Sequence, residues 1–101
     1  MYLVFCNISP EESKGLARKL VSEKLATCIS TIPGLMSYYW WKDRFCEDDE
    51  VTLMIKVKKE NYDALLTRIL ELHPYKVPEV IAVAPEKVHL PYLAWVRGED
   101  S

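Results

Sequence analysis

The sequence has few of the residues that most catalytic and metal-binding motifs require. Only three of its 101 residues are glycine, and neither a glycine-rich phosphate loop nor a nucleophile motif is present. Its three cysteines form no CxxC pair and its two histidines lie far apart, which excludes a zinc knuckle or ribbon. We therefore expect a protein that is not an enzyme. A Cys6–His73 dyad is the catalytic alternative left open.

An excess of basic charge and a long apolar segment are also missing. Thirteen basic and fifteen acidic residues give a net charge of −2, which disfavours a nucleic-acid partner. No apolar run approaches the roughly 18 residues of a membrane-spanning helix, and the first residues lack the basic region of a signal peptide. Three widely spaced cysteines favour reduced thiols. We expect a cytoplasmic protein that binds neither nucleic acid nor a membrane.

Aromatic residues, in contrast, are concentrated in one short segment. Residues 37–45, SYYWWKDRF, contain two tyrosines, two tryptophans and a phenylalanine. A catalytic pocket, a base-stacking surface and a subunit interface would each use such a cluster. The arrangement of the rest of the chain has to distinguish between them.

The periodicity of apolar residues predicts one domain over residues 1–101 with an alternating order of strands and helices. Ser9 and Glu12 have the spacing of a capping box, and Pro33–Gly34 predicts a bulge or an edge position in the second strand. The predicted elements are a strand at 2–7, a helix at 10–24, a hairpin at 27–58, a helix from 62 that Pro74 ends, a strand at 79–85 and a helix at 90–98. This β-α-β-β-α-β order with an extra C-terminal helix is typical of the α+β ferredoxin-like fold, with strand order 4-1-3-2.

The hairpin arms are predicted at roughly 12 to 15 residues, against a usual strand length of about 5 to 6. Its end carries Tyr38, Tyr39, Trp40 and Trp41, and exposing them would sacrifice much of the stability of a small domain. We therefore predict that these four residues form an interface between copies of the chain. The RNA-binding alternative is disfavoured because the third strand has no aromatic residue and the chain is acidic.

Several motifs resemble one known family. The segments YWWK, EDDE, ELHPYKVPE and PYLAWV, at these spacings, are similar to the CutA divalent-cation tolerance family over nearly the whole chain. The resemblance implies a homotrimer with PII-like architecture, in which long hairpins pair between subunits. It also implies a role in tolerance of copper and other divalent ions. This chain departs from the family at the hairpin turn, where Asp43 replaces the usual glycine.

Cys6 and His73 are the first candidate metal ligands. The predicted topology brings the loop after the second helix close to the end of the first strand, and thiolate with imidazole suits copper or zinc. The resemblance supports this pair, because copper-binding relatives carry cysteine at the position of Cys6. Leu72 replaces a second histidine found in some of them. The alternative is that Cys6 is a buried apolar residue and His73 caps a helix. Cys28, on the second strand, is a weaker candidate ligand.

The other candidate residues belong to a predicted cleft between subunits. Lys56 has an alternating position on the third strand, where a carboxylate such as Glu50 or Glu79 is its expected partner, unless it is simply solvated. Tyr75 and Glu79 fall in the ELHPYKVPE motif and either line a ligand cleft or fix the loop against a neighbouring subunit. Asp48, Asp49 and Glu50 are predicted to be a charged flank of the turn.

Together these observations predict a homotrimeric divalent-cation tolerance protein that binds copper or another divalent metal ion and has no organic cofactor. The alternative is a PII-like signalling or scaffold trimer that binds a small ligand or a partner protein in the clefts between its subunits.

Overall fold

Strands and helices follow the predicted order in a computed structural model that describes residues 1–99. The elements are β1 (Tyr2–Ile8), α1 (Pro10–Ser22), β2 (Cys28–Trp41), β3 (Arg44–Val57), α2 (Tyr62–Leu72), β4 (Val80–Val83) and α3 (Leu90–Arg97). A short 3₁₀ turn, Lys59–Asn61, precedes α2. The predicted domain boundary at residue 101 lies outside the described residues.

The four strands form a single antiparallel sheet. Their order is β2-β3-β1-β4, which is the predicted order 4-1-3-2 counted from the opposite edge. The ferredoxin-like prediction is therefore confirmed in its elements, strand order and pairing.

The hydrophobic core lies between one face of the sheet and the helices α1 and α2. Alternate residues of β1 and β3 point to this face, as their period of two requires. The completely buried members of the core from the sheet and the two helices are Val4, Cys6, Ile8, Leu20, Leu53, Ile55, Val57, Leu65 and Ile69. Because the helices cover only this face, the opposite face of the sheet stays open in a single subunit.

The start of α1 differs in detail from the prediction. Ser9 occupies the N-cap position and Pro10 begins the helix, but the Ser9 hydroxyl makes no capping hydrogen bond. The backbone N–H of Glu12 instead donates to the Ser9 carbonyl oxygen over 3.1 Å. The predicted capping box is therefore wrong, although the helix begins at the expected residue. The helix ends at Ser22, two residues before the predicted limit of residue 24.

The β2–β3 hairpin extends well beyond the other strands. Each arm has 14 residues, whereas β1 has seven and β4 has four. β1 pairs with β3 only over Val51–Val57, so the segment Arg44–Glu50 is paired with β2 alone among the described residues. The predicted bulge at Pro33–Gly34 is confirmed, because the register shifts between Ile32 and Leu35 and Gly34 has a φ of 78°.

The open face of the sheet is partly apolar at its β4 edge. Leu3 lies opposite Val83 and Phe5 lies opposite Ile81, and residues directly opposite each other share a face. Ile81 and Val83 are about half exposed. This face therefore leaves apolar surface uncovered that a neighbouring molecule is able to bury.

Candidate functional site

A cavity lies on the open side of the sheet, where the overhanging hairpin begins. Its volume is about 610 Å³, within the range of about 300 to 1,000 Å³ that is typical of small-molecule sites. Residues from three separate parts of the chain line it: the end of β1, the two hairpin arms and the loop between α2 and β4. The lining includes Asn7, Ser37, Tyr39, Trp41, Glu50, Tyr75 and Glu79.

Glu50 is the buried carboxylate of this cavity, with 8% of its surface exposed. Its Oε1 accepts hydrogen bonds from Ser37 Oγ over 2.6 Å and from Asn7 Nδ2 over 3.3 Å. Its Oε2 accepts from the Tyr75 hydroxyl over 2.7 Å. Thr52 Oγ1 donates to Asn7 Oδ1 over 2.7 Å, which fixes the orientation of the Asn7 amide. Three donors from distant parts of the sequence therefore hold the Glu50 side chain in place.

Two of the tyrosines that line the cavity are held in their protonated form. Burial raises the pKa of Tyr75, and its hydrogen bond to Glu50 acts in the same direction. The hydrogen bond from Tyr39 to Asp48 raises the pKa of Tyr39 to about 12. Both hydroxyls therefore remain hydrogen-bond donors throughout the neutral and mildly alkaline range.

Lysines supply positive charge at the outer part of the cavity. Lys42 and Lys76 both line it and both are exposed. The Lys42 ammonium lies 5.8 Å from the centroid of the Trp41 ring, a distance suited to a cation–π contact. Glu79 also lines the cavity and is exposed. The cavity thus combines a buried acidic group with exposed groups of both signs.

Cys6 and His73 approach each other as the topology predicted, through the carbonyl of Asn7. The Nε2 atom of His73 lies 2.9 Å from this carbonyl oxygen, and the Cys6 thiol lies 3.9 Å from it. The Nδ1 atom of His73 accepts a hydrogen bond from the Tyr75 backbone N–H over 3.1 Å. Since a carbonyl only accepts, this pattern assigns the ring hydrogen to Nε2. Both nitrogens of His73 are therefore already engaged.

The fit of this pair to a metal ion is poor in the subunit as it stands. Cys6 is completely buried and belongs to the core. Burial raises the pKa of its thiol to about 12, with the negative charges of Glu79 and Glu50 contributing, whereas metal ligation needs the thiolate. Among residues 1–99 no group of three or more histidine, cysteine, aspartate or glutamate side chains is placed to hold a metal ion. The buried, apolar alternative for Cys6 matches the structure, and the His73 ring binds Asn7 instead of capping α2.

Cys28 and Lys56 lie together, away from the cavity. They are directly opposite each other on β2 and β3, and Lys56 Nζ donates to Ser30 Oγ over 2.7 Å and lies 4.0 Å from Cys28 Sγ. Among residues 1–99 of one subunit, Lys56 forms no ion pair with Glu50 or Glu79, and the predicted pairing across a cleft between subunits stays a prediction. Glu50 lies six residues earlier on β3, and its oxygens are bonded to other side chains. Tyr75 and Glu79 share one cavity within the subunit, and Lys56 does not line it, so the cleft between subunits stays a prediction.

The four aromatic residues of the hairpin are exposed in the single subunit. Tyr38 and Trp40 are 64% and 72% exposed, while Tyr39 and Trp41 are each about 40% exposed. Trp40 packs edge-on against Phe45 across the hairpin, with ring centroids 6.0 Å apart. These rings face solvent in one subunit, so the predicted interface between subunits stays a prediction.

Glu50 is not recognisable from the sequence as the centre of the cavity. Its position after two aspartates predicts a charged flank of the turn, and its strand position predicts a candidate partner of Lys56. The available signal was its strand periodicity: Glu50 shares the open face with Thr52 and Lys56, whereas Asp49 points the other way. Asn7 and Ser37 carried no local signal, since their role arises only from the pairing of distant strands.

Comparison with known proteins identifies the family. Residues 2–99 match the family model described as CutA1 divalent ion tolerance protein. The human protein CutA is 44% identical over 85 residues, which are 84% of this chain and 48% of the human protein. The divalent-cation tolerance protein CutA of Thermus thermophilus is 38% identical over 89 residues, which are 88% of this chain and 86% of that protein. The chain thus spans about half the length of the human, frog and rice relatives.

Solved structures agree with this assignment. The CutA1 divalent cation tolerance protein from Thermus thermophilus superimposes with a TM-score of 0.91 at 35% identity, covering 100% of both chains. A PII-like protein CutA from Nostoc, in its apo form, gives a TM-score of 0.93 at 37% identity, covering 98% of this chain and 96% of that chain. In the part of this chain that the structure describes, no helix has both the length and the apolar character required to cross a bilayer. The chain belongs to the CutA1 divalent ion tolerance protein family.

Proposed function

We propose that this chain acts in divalent-cation tolerance as a closed, PII-like homotrimer that binds a small ligand and carries out no catalysis. One observation carries the proposal: the hairpin overhangs its own subunit and exposes aromatic residues together with an unpaired strand edge. Such an edge is a template for pairing with another strand. Pairing between copies satisfies its backbone groups and buries its aromatic rings at the same time.

The ligand site of the proposed trimer is the cavity around Glu50. It lies where the overhanging hairpin begins, next to the surface that assembly covers, so a neighbouring subunit closes its open side. Tyr75 and Glu79 belong to it, as the cleft predicted from the sequence requires. Lys56 belongs to a separate cluster with Ser30, on the same open face.

Native mass spectrometry tests this assembly, and the expected result is one species with three times the mass of the chain. A monomer at micromolar concentration would contradict the proposal. For tolerance itself, we expect the chain to restore growth at elevated copper in bacterial cells that lack their own member of the family. Equal growth with and without the chain would contradict that part.

Copper binding at Cys6 and His73 is the second candidate. It is favoured by one observation, which is that both side chains lie against the carbonyl oxygen of Asn7. A metal ion there has to displace one hydrogen bond of His73 and remove the proton of a buried thiol. We propose copper titration of the Cys6→Ser and His73→Ala variants as its test. Weaker binding in both variants supports the site, and unchanged affinity in both removes it.

We also propose that the protein works in a reducing compartment, the cytoplasm. All three cysteines, Cys6, Cys28 and Cys46, are free, and the core is formed without a disulfide. Thiol quantification after purification with and without reductant tests this, with three free thiols expected in both cases.

A further inference from the structure

The cavity has a buried carboxylate that forms no ion pair with any residue between 1 and 99. Glu50 is more than nine-tenths buried, yet its three hydrogen-bond partners, Ser37, Asn7 and Tyr75, are all neutral. Within residues 1–99 the only ion pairs are those of Arg68 with Glu23 and Glu71. Buried carboxylates are seldom left without an opposite charge. A cation from outside the subunit would complete this arrangement.

The Glu50 side chain still has capacity for such a cation. A carboxylate offers about four lone-pair directions, and Oε1 uses two of them whereas Oε2 uses one. The remaining direction suits a hydrogen bond from an ammonium group. Calcium or magnesium fits less well, because each takes about six or more oxygen ligands, and no group of three acidic, histidine or cysteine side chains is placed to hold a metal ion in the described chain.

The rest of the cavity adds two further requirements on a ligand. Lys42 and Lys76 place two positive charges at the exposed part against the single negative charge of Glu79, so a carboxylate that meets one of these lysines would be attracted there. Tyr38, Trp41 and Val77 add apolar surface to the same walls. The ligand that fits all three features has a cationic end, an anionic end and an apolar body.

We propose that the Glu50 cavity binds a small zwitterion of the α-amino acid class, with its ammonium group on Glu50, its carboxylate at Lys76 and its apolar body against Trp41. This inference rests on the proposed function, since it names the chemical class of the ligand of the cleft. Charge-assisted hydrogen bonds at the two ends are stronger than neutral ones, so both charges contribute to affinity.

Three probes that share a phenyl ring and differ in the charged groups they carry test the proposal. L-Phenylalanine carries both charges, 2-phenylethylamine has only the ammonium group and 3-phenylpropanoate has only the carboxylate. Calorimetric titration of the native assembly should show that L-phenylalanine binds about tenfold or more tightly than either single-charge probe. Equal binding of all three, or no binding of L-phenylalanine to an intact trimer, overturns the inference.

Variants assign the two charges to their residues. Glu50→Gln keeps the size and an acceptor oxygen, and it should weaken L-phenylalanine binding about tenfold or more while leaving 3-phenylpropanoate unchanged. Lys76→Met, at an exposed position, should abolish the preference for L-phenylalanine over 2-phenylethylamine. Glu47→Gln is the matched control, because Glu47 is exposed on the opposite face of the same strand. This variant should bind all three probes as the native protein does. If Glu50→Gln does not fold, the Lys76 variant alone decides.

Mass measurements on the same samples separate this inference from the proposed function. If the native chain is a monomer, the proposed function is wrong, whatever the chain binds. If the chain is a trimer that binds no probe, the proposed assembly holds and only the inference of a zwitterionic ligand is wrong. If Glu50→Gln dissociates the trimer in the absence of any probe, a cationic side chain of a neighbouring subunit is the partner of Glu50, and the inference is wrong.

Discussion

The two halves of strand β3 show how differently one strand can be stabilised. In Val51–Val57 every second residue is buried, because β1 pairs along one side and the helices cover one face. In Arg44–Asp49 nearly every residue is exposed, and β2 is the sole pairing partner among the described residues. The inner half therefore depends on its own subunit, whereas the outer half pairs only with the other arm of its hairpin among residues 1–99.

This difference has an energetic consequence. An aromatic side chain buries about 150 to 250 Å², so covering one contributes up to roughly 4 to 6 kcal/mol. A whole domain is stable by only about 5 to 15 kcal/mol. The outer hairpin therefore holds enough unburied aromatic surface to drive association, and the inner half holds the surface that drives folding.

The largest effect is expected from removing two aromatic residues of β2 that pair with the outer half of β3. Trp40→Ala combined with Trp41→Ala deletes the exposed rings while leaving the core residues of β3 unchanged. If the outer half serves association, the double variant should dissociate to monomers or fail to fold, with mass as the measurement. Leu70→Ala is the control, since Leu70 is 53% exposed on α2, on the covered side of the sheet. A stable native trimer in the double variant would show that the aromatic cluster is not an interface.

A core substitution in the inner half should act on folding itself. Leu53 is completely buried in the core, and Leu53→Ala leaves a cavity that its neighbours fill only partly. The free energy of unfolding should fall by about 2 to 5 kcal/mol, measured by urea denaturation. Phe45→Ala in the outer half removes a larger side chain, and it should weaken association with a smaller effect on monomer unfolding. If both variants alter monomer unfolding equally, the two halves do not differ as we describe.

Alkaline pH should destabilise the core through Cys6, which pairs with Leu53 of the inner half of β3. The folded-state pKa of this thiol is raised from its ordinary value of 9.0 to about 12, mainly by burial. Between these values the unfolded chain has released the proton and the folded chain retains it, so the free energy of unfolding falls as pH rises. One such group lowers the free energy of unfolding by about 1.4 kcal/mol for each pH unit in this range. The raised pKa values of Tyr39 and Tyr75 act in the same direction.

Cysteine variants isolate this contribution. Urea denaturation at pH 8 and pH 10.5 should show a smaller loss of stability in Cys6→Ala than in the native chain. Cys46→Ala, at the outer end of the hairpin, should behave as the native chain does. An identical pH dependence in Cys6→Ala and the native chain would mean that the thiol does not titrate as expected.

The sequence predicted the inner half well and the cavity poorly, for a physical reason. The alternation of Val51, Leu53, Ile55 and Val57 is a local signal, and Pro33–Gly34 marks the bulge by its own backbone preferences. The surroundings of Glu50 depend instead on Asn7 and Tyr75, which are 43 and 25 residues away. No local pattern encodes such contacts.

Even local signals failed where two local arrangements compete. Ser9 and Glu12 have the spacing of a capping box, but the Glu12 N–H is bonded to the Ser9 carbonyl instead of its hydroxyl. Both arrangements satisfy the same donor at the helix start. The prediction of Cys6 beside His73 succeeded because it used topology, whereas their engagement with Asn7 depends on side-chain positions that topology does not specify.

The smallest effect is expected at the turn of the hairpin. Asp43 has a φ of 63°, in the left-handed region that glycine adopts without steric cost, so Asp43→Gly relieves strain and also increases the freedom of the unfolded chain. The net gain in the free energy of unfolding should be less than about 1 kcal/mol, and the mass of the assembly should stay the same. Gly34→Ala is the matched opposite: no atom lies within 4 Å of an added Cβ, so its cost of about 1 to 2 kcal/mol comes from the φ of +78° alone. The two changes in the free energy of unfolding are compared by size. If the change in Asp43→Gly is as large as the change in Gly34→Ala, the outer turn contributes to folding as strongly as the bulge. The contrast between the outer and inner parts of the hairpin would then not hold.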